Sequence, residues 1–160
     1  MKVVVEDYEV NKNTMALLSA ANIDFATIVM EQHRMLYVKK PPLKLIQTAC
    51  LDGGATYEGR RKAMCYHTGA KQKVPIPINP RDHIFAFPTL SPEAFNCNWI
   101  FYNHVKSIQS VPSTHEQPAQ SIITFQNNQQ VTLPESVYTL EKQMQRTAIC
   151  ILLFNPPAFT

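Results

Sequence analysis

"DGGATYEGRRKAMCYHTGAKQKVPIPINPRDHIFAFPTLSP", residues 52–92, holds adjacent glycines, three consecutive cations and five prolines. Asp52-Gly53-Gly54 reads as a turn. Thr56 then stands where a helix N-cap belongs, Glu58 falls in the first turn, and Gly69 supplies a stop. A short helix follows despite Gly59, which costs about 1 kcal/mol relative to alanine inside a helix. At about 100° per residue, Arg60, Arg61 and Lys62 fan over roughly 200° of its surface, so they cannot all enter one pocket. "KVPIPINP" is too rich in proline for a central strand and reads as an edge strand or polyproline segment. "HIFAFPTLSP" is apolar, aromatic and bounded by prolines, which suits a short buried strand.

Upstream, "VVVEDYEVNKNTMALLS" suggests two strands around Asn11-Lys12-Asn13, and "FATIVMEQHRMLYVKK" a second hairpin or a pair of strands. Pro41-Pro42 ends that element, and "LKLIQTACL" reads as another strand because Leu43 and Leu45 alternate with Lys44 and Ile46. Downstream, "CNWIFYNHVKSIQSV" is a long run of β-formers, and "VPSTHEQPAQ" (111–120) a surface loop. "SIITFQNNQQVTL" has two alternating arms about a two-residue Asn127-Asn128 turn. The period then changes. Val137, Leu140, Met144, Ala148 and Ile151 recur at steps of three and four, as in an amphipathic helix. The expected fold is α+β, predominantly antiparallel β with one short internal helix and a C-terminal amphipathic helix. Residues 1–160 are expected to form a single domain, since 160 residues with 45% hydrophobic content can bury one core.

Charge is unevenly placed. Between Arg34 and Arg81 ten cations face only Asp52 and Glu58, giving +8, whereas the rest carries five cations and ten anions, giving −5. Such concentration marks a surface for a polyanion, or a solvated face whose charges mix with carboxylates in space. The candidate DNA-binding residues are Arg60, Arg61, Lys62, Lys71, Lys73, Lys39, Lys40 and Lys44. Tyr57 and Tyr66 flank the cationic cluster, either to pack on sugars or to anchor the helix. A second reading has the basic face docking an acidic protein partner without enzymatic activity.

Other chemistry finds little support. The chain has four glycines and neither a dinucleotide-binding nor a P-loop spacing. Cys50, Cys65, Cys97 and Cys150 form no Cys-x-x-Cys pair, which disfavours zinc and dithiol motifs and suits buried thiols. Cys65 and His67 could touch only if they shared a strand face, and no orienting third group accompanies them. His33, His67, His83, His104 and His115 are dispersed, and no G-x-S-x-G surrounds Ser91. No enzyme, metal or cofactor is expected. The longest apolar run, 148–154, has seven residues and cannot span a bilayer; with no leader pattern after Met1-Lys2, a cytoplasmic chain without membrane association is expected.

"YEVN" (8–11), "ATYEGRRKA" (55–63), "IFAFPTLSP" (84–92), "CNWIFYNHV" (97–105) and "RTA" (146–148) resemble, in order and spacing, the ComK-type competence transcription factors of Gram-positive bacteria. The resemblance implies a nucleoid-associated activator of genes for DNA uptake and recombination. It implies recognition of paired A·T-rich boxes in double-stranded DNA through the minor groove, DNA bending, and dimers that assemble to tetramers. It also implies RNA polymerase as a partner and an adaptor that delivers the factor to a Clp protease. It carries over the basic region around Arg60, Arg61 and Lys62, without individual contacts. Two departures stand out: Ala55-Thr56 where the family often has serines, and "ICILLFNPPAFT" (149–160) where the best-known members continue into a charged extension tied to activation and adaptor binding.

Overall fold

A computed structural model describes residues 2–112 and 120–154. Ten strands form two sheets: β1 (Val4–Val5), β2 (Thr14–Ser19), β3 (Thr27–Glu31), β4 (Met35–Val38), β5 (Ile76–Asn79), β6 (Ile84–Pro88), β7 (Trp99–Phe101), β8 (Val105–Val111), β9 (Gln120–Phe125) and β10 (Gln130–Leu133). The larger sheet runs β1-β4-β3-β2-β7-β6-β5, and the smaller β10-β9-β8. Three helices pack on them: α1 (Pro42–Asp52), α2 (Tyr57–Thr68) and α3 (Val137–Phe154). The expected α+β class with mostly antiparallel pairing and a C-terminal helix is what the chain adopts.

Alternation along the strands of the large sheet makes two cores. Leu17, Val29, Ile84, Ala86, Trp99 and Phe101 join Leu45, Ile46, Ala49 and Cys50 of α1 on one face. Met30, Phe87 and Ile100 pack on the other face with Ile123 and Phe125 of the small sheet and Leu140 of α3. The edge strand β5 contains Pro77, which has no N–H to offer a further strand. Helix α2 shields this edge: Tyr57 belongs to the first core, while Met64 packs with Phe85 and with Cys150 of α3.

Several expectations change. The 43–51 segment is helical, because Pro42 occupies the first turn, where its missing N–H costs nothing, and the buried positions Leu45, Ile46, Ala49 and Cys50 follow helical spacing. The described residues therefore hold two internal α-helices rather than one. β1 does not form a hairpin with β2; it pairs in parallel with β4, Val4 opposite Tyr37. The 97–111 run is broken by a 3₁₀ turn at Tyr102–His104, which transfers the chain from the large sheet at β7 to the small sheet at β8.

The β9–β10 turn has three residues rather than two. The Asn128 N–H donates to Phe125 O and the Phe125 N–H to Gln129 O, both at 2.8 Å, with Asn128 at φ 71. On α3 the buried stripe is Leu140, Gln143, Thr147 and Cys150, offset from the expected apolar positions and containing two polar residues. The hairpin of β3 and β4, edge strand β5 and buried strand β6 stand where expected. The loop reading at 111–120 lies largely outside the described residues, as do His115 and 155–160.

Candidate nucleic-acid interface

Helix α2 forms as its sequence dictates. Thr56 Oγ1 accepts from the Gly59 N–H at 3.0 Å, and Gly69 ends the helix in the left-handed conformation at φ 75, which glycine adopts without steric cost. Tyr57 and Met64 are its buried residues, so they define the face turned inward. Arg60 and Arg61 fall on either side of that stripe, and Lys62 is carried away from it.

The two arginines have different surroundings. Arg60 Nη2 donates to Gly53 O at 3.2 Å, and its Nε is buried without a partner. Its charge also reaches Cys50 of α1 and Cys150 of α3, where it partly offsets the rise that burial imposes; both thiols are still pushed up to about 12. Arg60 is thus a half-buried cation near the junction of three helices. Arg61 faces the other way, with its Nη1 4.0 Å from Glu58 Oε2. Tyr57 is buried and meets Trp99 edge-on at 6.4 Å, so it anchors the helix, whereas Tyr66 is exposed.

Arg61 lines a cleft of ≈ 520 Å³ with Lys71, Lys73, Glu58 and Glu93. A second cleft of ≈ 410 Å³ shares Lys71 and Gln72 with the first and adds Lys142 and Arg146 of α3, with no carboxylate in its lining. α2, α3 and the 70–74 loop therefore bring five cations to one continuous surface, with its carboxylates confined to the Arg61 end.

The remaining basic residues lie elsewhere. Lys39 pairs with Glu6 at 2.8 Å, Lys40 with Asp7 at 2.7 Å, and Arg34 with Glu31 at 2.7 Å. Lys44 is exposed on α1. The cluster that is +8 in sequence is thus divided in space, and about a third of it is matched by carboxylates: Glu6 and Asp7 of the segment that follows β1, and Glu31 at the end of β3. Another cleft, ≈ 720 Å³, gathers Glu9, Glu31, Asp52 and Asp82 against Lys12 and Arg34 and would repel a polyanion.

Cys65 and His67 share no strand face, since both lie on α2, where a two-residue step rotates a side chain by about 200°. Cys65 packs toward Met64 and Cys150, while the His67 ring meets Phe154 edge-on at 6.1 Å. Among the described residues no cluster of three histidine, cysteine or carboxylate side chains could hold a metal, and no helix is long and apolar enough to cross a membrane.

The profile of the ComK protein family matches residues 5–156. The chain belongs to this family. It is 34% identical over 146 residues to the competence transcription factor of Bacillus subtilis (strain 168), an alignment covering 90% of this chain and 73% of that relative. No solved structure matches it significantly.

The family-type segments have physical roles here. In "YEVN", Tyr8 donates to Glu31 and lies 2.7 Å from Thr14 Oγ1, while Asn11 Nδ2 donates to Glu31 at 3.3 Å. These bonds tie the N-terminal segment to β2 and β3. In "RTA", Arg146 Nη2 donates to Gln72 O at 2.9 Å and Nη1 to Lys73 O at 3.3 Å. Lys142 and Arg146 were outside the basic segment that sequence singled out. The available signal for Arg146 was its place in the family-type "RTA" segment, whereas the apolar positions Val137, Leu140, Met144, Ala148 and Ile151 run past Lys142 and Gln143 without interruption.

Proposed function

We propose that this ComK-family chain is a DNA-binding transcription activator of competence genes that takes A·T-rich double-stranded DNA through the minor groove. The observation that carries the reading is the pair of adjoining clefts presenting Arg61, Lys71, Lys73 and Lys142 on one surface. Side chains of this type neutralise phosphates and release counterions, which supplies the sequence-independent part of DNA affinity. Arg61, half-buried and planar, suits the enhanced negative potential of a narrow A·T minor groove. Arg60 supports the site from within, and Lys39 and Lys40 are engaged with Glu6 and Asp7, so they are left out of the interface. Dimers or tetramers on paired boxes, contact with RNA polymerase in the cytoplasm, and delivery to a Clp protease by an adaptor belong to the same reading and draw their support from family membership.

The test is affinity for an A·T-rich duplex as a function of salt. About four phosphate contacts give a slope near −3.6, hence a loss of roughly 150-fold between about 50 and 200 mM. A minor-groove ligand such as netropsin should compete. A flat salt dependence, or interference only from major-groove methylation, would remove the proposal.

A further inference from the structure

Gln143 is 2% exposed on the inward face of α3, beside Leu140, Thr147 and Cys150. A buried amide must find partners, and this one does so outside its own helix. Its Nε2 donates to Lys73 O and to Pro88 O, each at 2.8 Å. Its Oε1 accepts from Arg146 Nη1 at 2.6 Å, and the Arg146 fork also holds Lys73 O and Gln72 O. The two side chains thus bind adjacent carbonyls of the loop that carries Lys71 and Lys73.

That loop needs holding. Lys73 sits at φ 51, a left-handed conformation that a residue with a side chain rarely adopts. The segment from 70 to 73 carries no strand or helix of its own. Its backbone is fixed instead from α3, some seventy residues later. The guanidinium of Arg146 is engaged with three oxygens, so it serves the loop rather than offering its fork to a phosphate.

We infer that Gln143 and Arg146 are positioning residues for the interface, clamping residues 72–73 so that Lys71 and Lys73 meet DNA already in place. Affinity gained this way comes from ordering the cations before binding rather than from added contacts. The inference rests on the interface reading above.

Two conservative variants separate geometry from charge. Arg146→Lys keeps the cation but loses the fork, and Gln143→Met keeps the volume but loses the amide. Hydrogen exchange in the free, full-length protein should show faster exchange at the amides of 71–73 in both, with α3 and β6 still protected. On A·T-rich DNA each variant should bind more weakly, with the salt slope reduced by up to about two units. In a Lys71→Gln/Lys73→Gln background Arg146→Lys should have no further effect.

Unchanged loop exchange in both variants would overturn the clamp. So would an Arg146→Lys effect of equal size in both backgrounds, since Arg146 would then touch DNA itself. If the loop loosens as expected but Lys71→Gln/Lys73→Gln leaves DNA affinity and salt slope intact, the interface assignment fails, and the DNA role of the clamp fails with it.

Discussion

Arg60 and Arg61 are neighbours in sequence but belong to different parts of the molecule. Arg60 is half-buried with its Nη2 on Gly53 O, so Arg60→Ala should destabilise by about 1.5–3 kcal/mol, the range for a hydrogen bond to a charged group. Arg61→Ala loses only a 4.0 Å contact with Glu58 and should leave the denaturation midpoint almost unmoved while weakening DNA binding. Urea titration beside a binding isotherm distinguishes the two; equal stability losses would refute the division. The cysteines divide in a similar way. Cys50, Cys97 and Cys150 are buried, and burial raises each thiol, whereas Cys65 is half-exposed. Alkylation of the native protein at neutral pH should add one adduct, at Cys65, with the other three reacting only after unfolding, as intact-mass measurement would show. At this scale the sequence displayed the cationic run and the scattered thiols. It did not display that Gly53 O sits within reach of one arginine, because that contact depends on how α1 ends against α2.

Helix α2 was legible because its signals are local: a capping threonine, an early glutamate and a terminal glycine. Thr56→Ala should cost about 1 kcal/mol through loss of the bond to the Gly59 N–H. Gly59→Ala, which propensity alone would make favourable by about 1 kcal/mol, should bring little or no gain, since a Cβ there would lie 2.9 Å from the Thr56 hydroxyl that caps the helix. Thermal melts of the two variants check both statements, and a clear stabilisation by Gly59→Ala would sink the second. Helix α1 reads as a strand in sequence because "LKL" satisfies a two-residue period for three positions before Ile46 breaks it. Only the burial of Leu45 with Ile46 and of Ala49 with Cys50 reveals the helical one. The 97–111 run failed for a different reason. Its β-formers are real, but the turn at Tyr102–His104 is set by the need to leave one sheet for another, which no window of that sequence contains. The interface shows the same limit: Lys71 and Lys73 are near α2 in sequence, while Lys142, Gln143 and Arg146 join them only through the packing of α3.

Across the whole molecule, charge is sorted into an acidic cleft around Glu31 and a basic one around Lys71, and the acidic side has a measurable consequence for stability. Burial alone would raise the Glu31 carboxyl, but the bonds from Arg34, Tyr8 and Asn11 outweigh it and hold it below its ordinary value. A carboxyl lowered on folding stabilises fully above its unfolded pKa, about 4.3, and that contribution is lost as pH falls through the lower folded value. Glu135 is the opposite case. Burial raises it, with Oε1 buried and unpartnered, so its ionisation opposes folding at neutral pH and that penalty disappears on acidification. Glu31→Gln should therefore lower stability at pH 7, and Glu135→Gln should raise it. The Glu135→Gln gain should shrink first, as the pH falls from the raised folded value towards the unfolded value of about 4.3. The Glu31→Gln deficit should persist to about pH 4.3 and shrink only below it, as the parent carboxyl becomes protonated. Urea midpoints measured from pH 7 to pH 3 test this. A Glu31→Gln deficit that stayed constant with pH would mean the network stabilises through shape alone. The carboxylate would then have no electrostatic share in tying "YEVN" to the sheet.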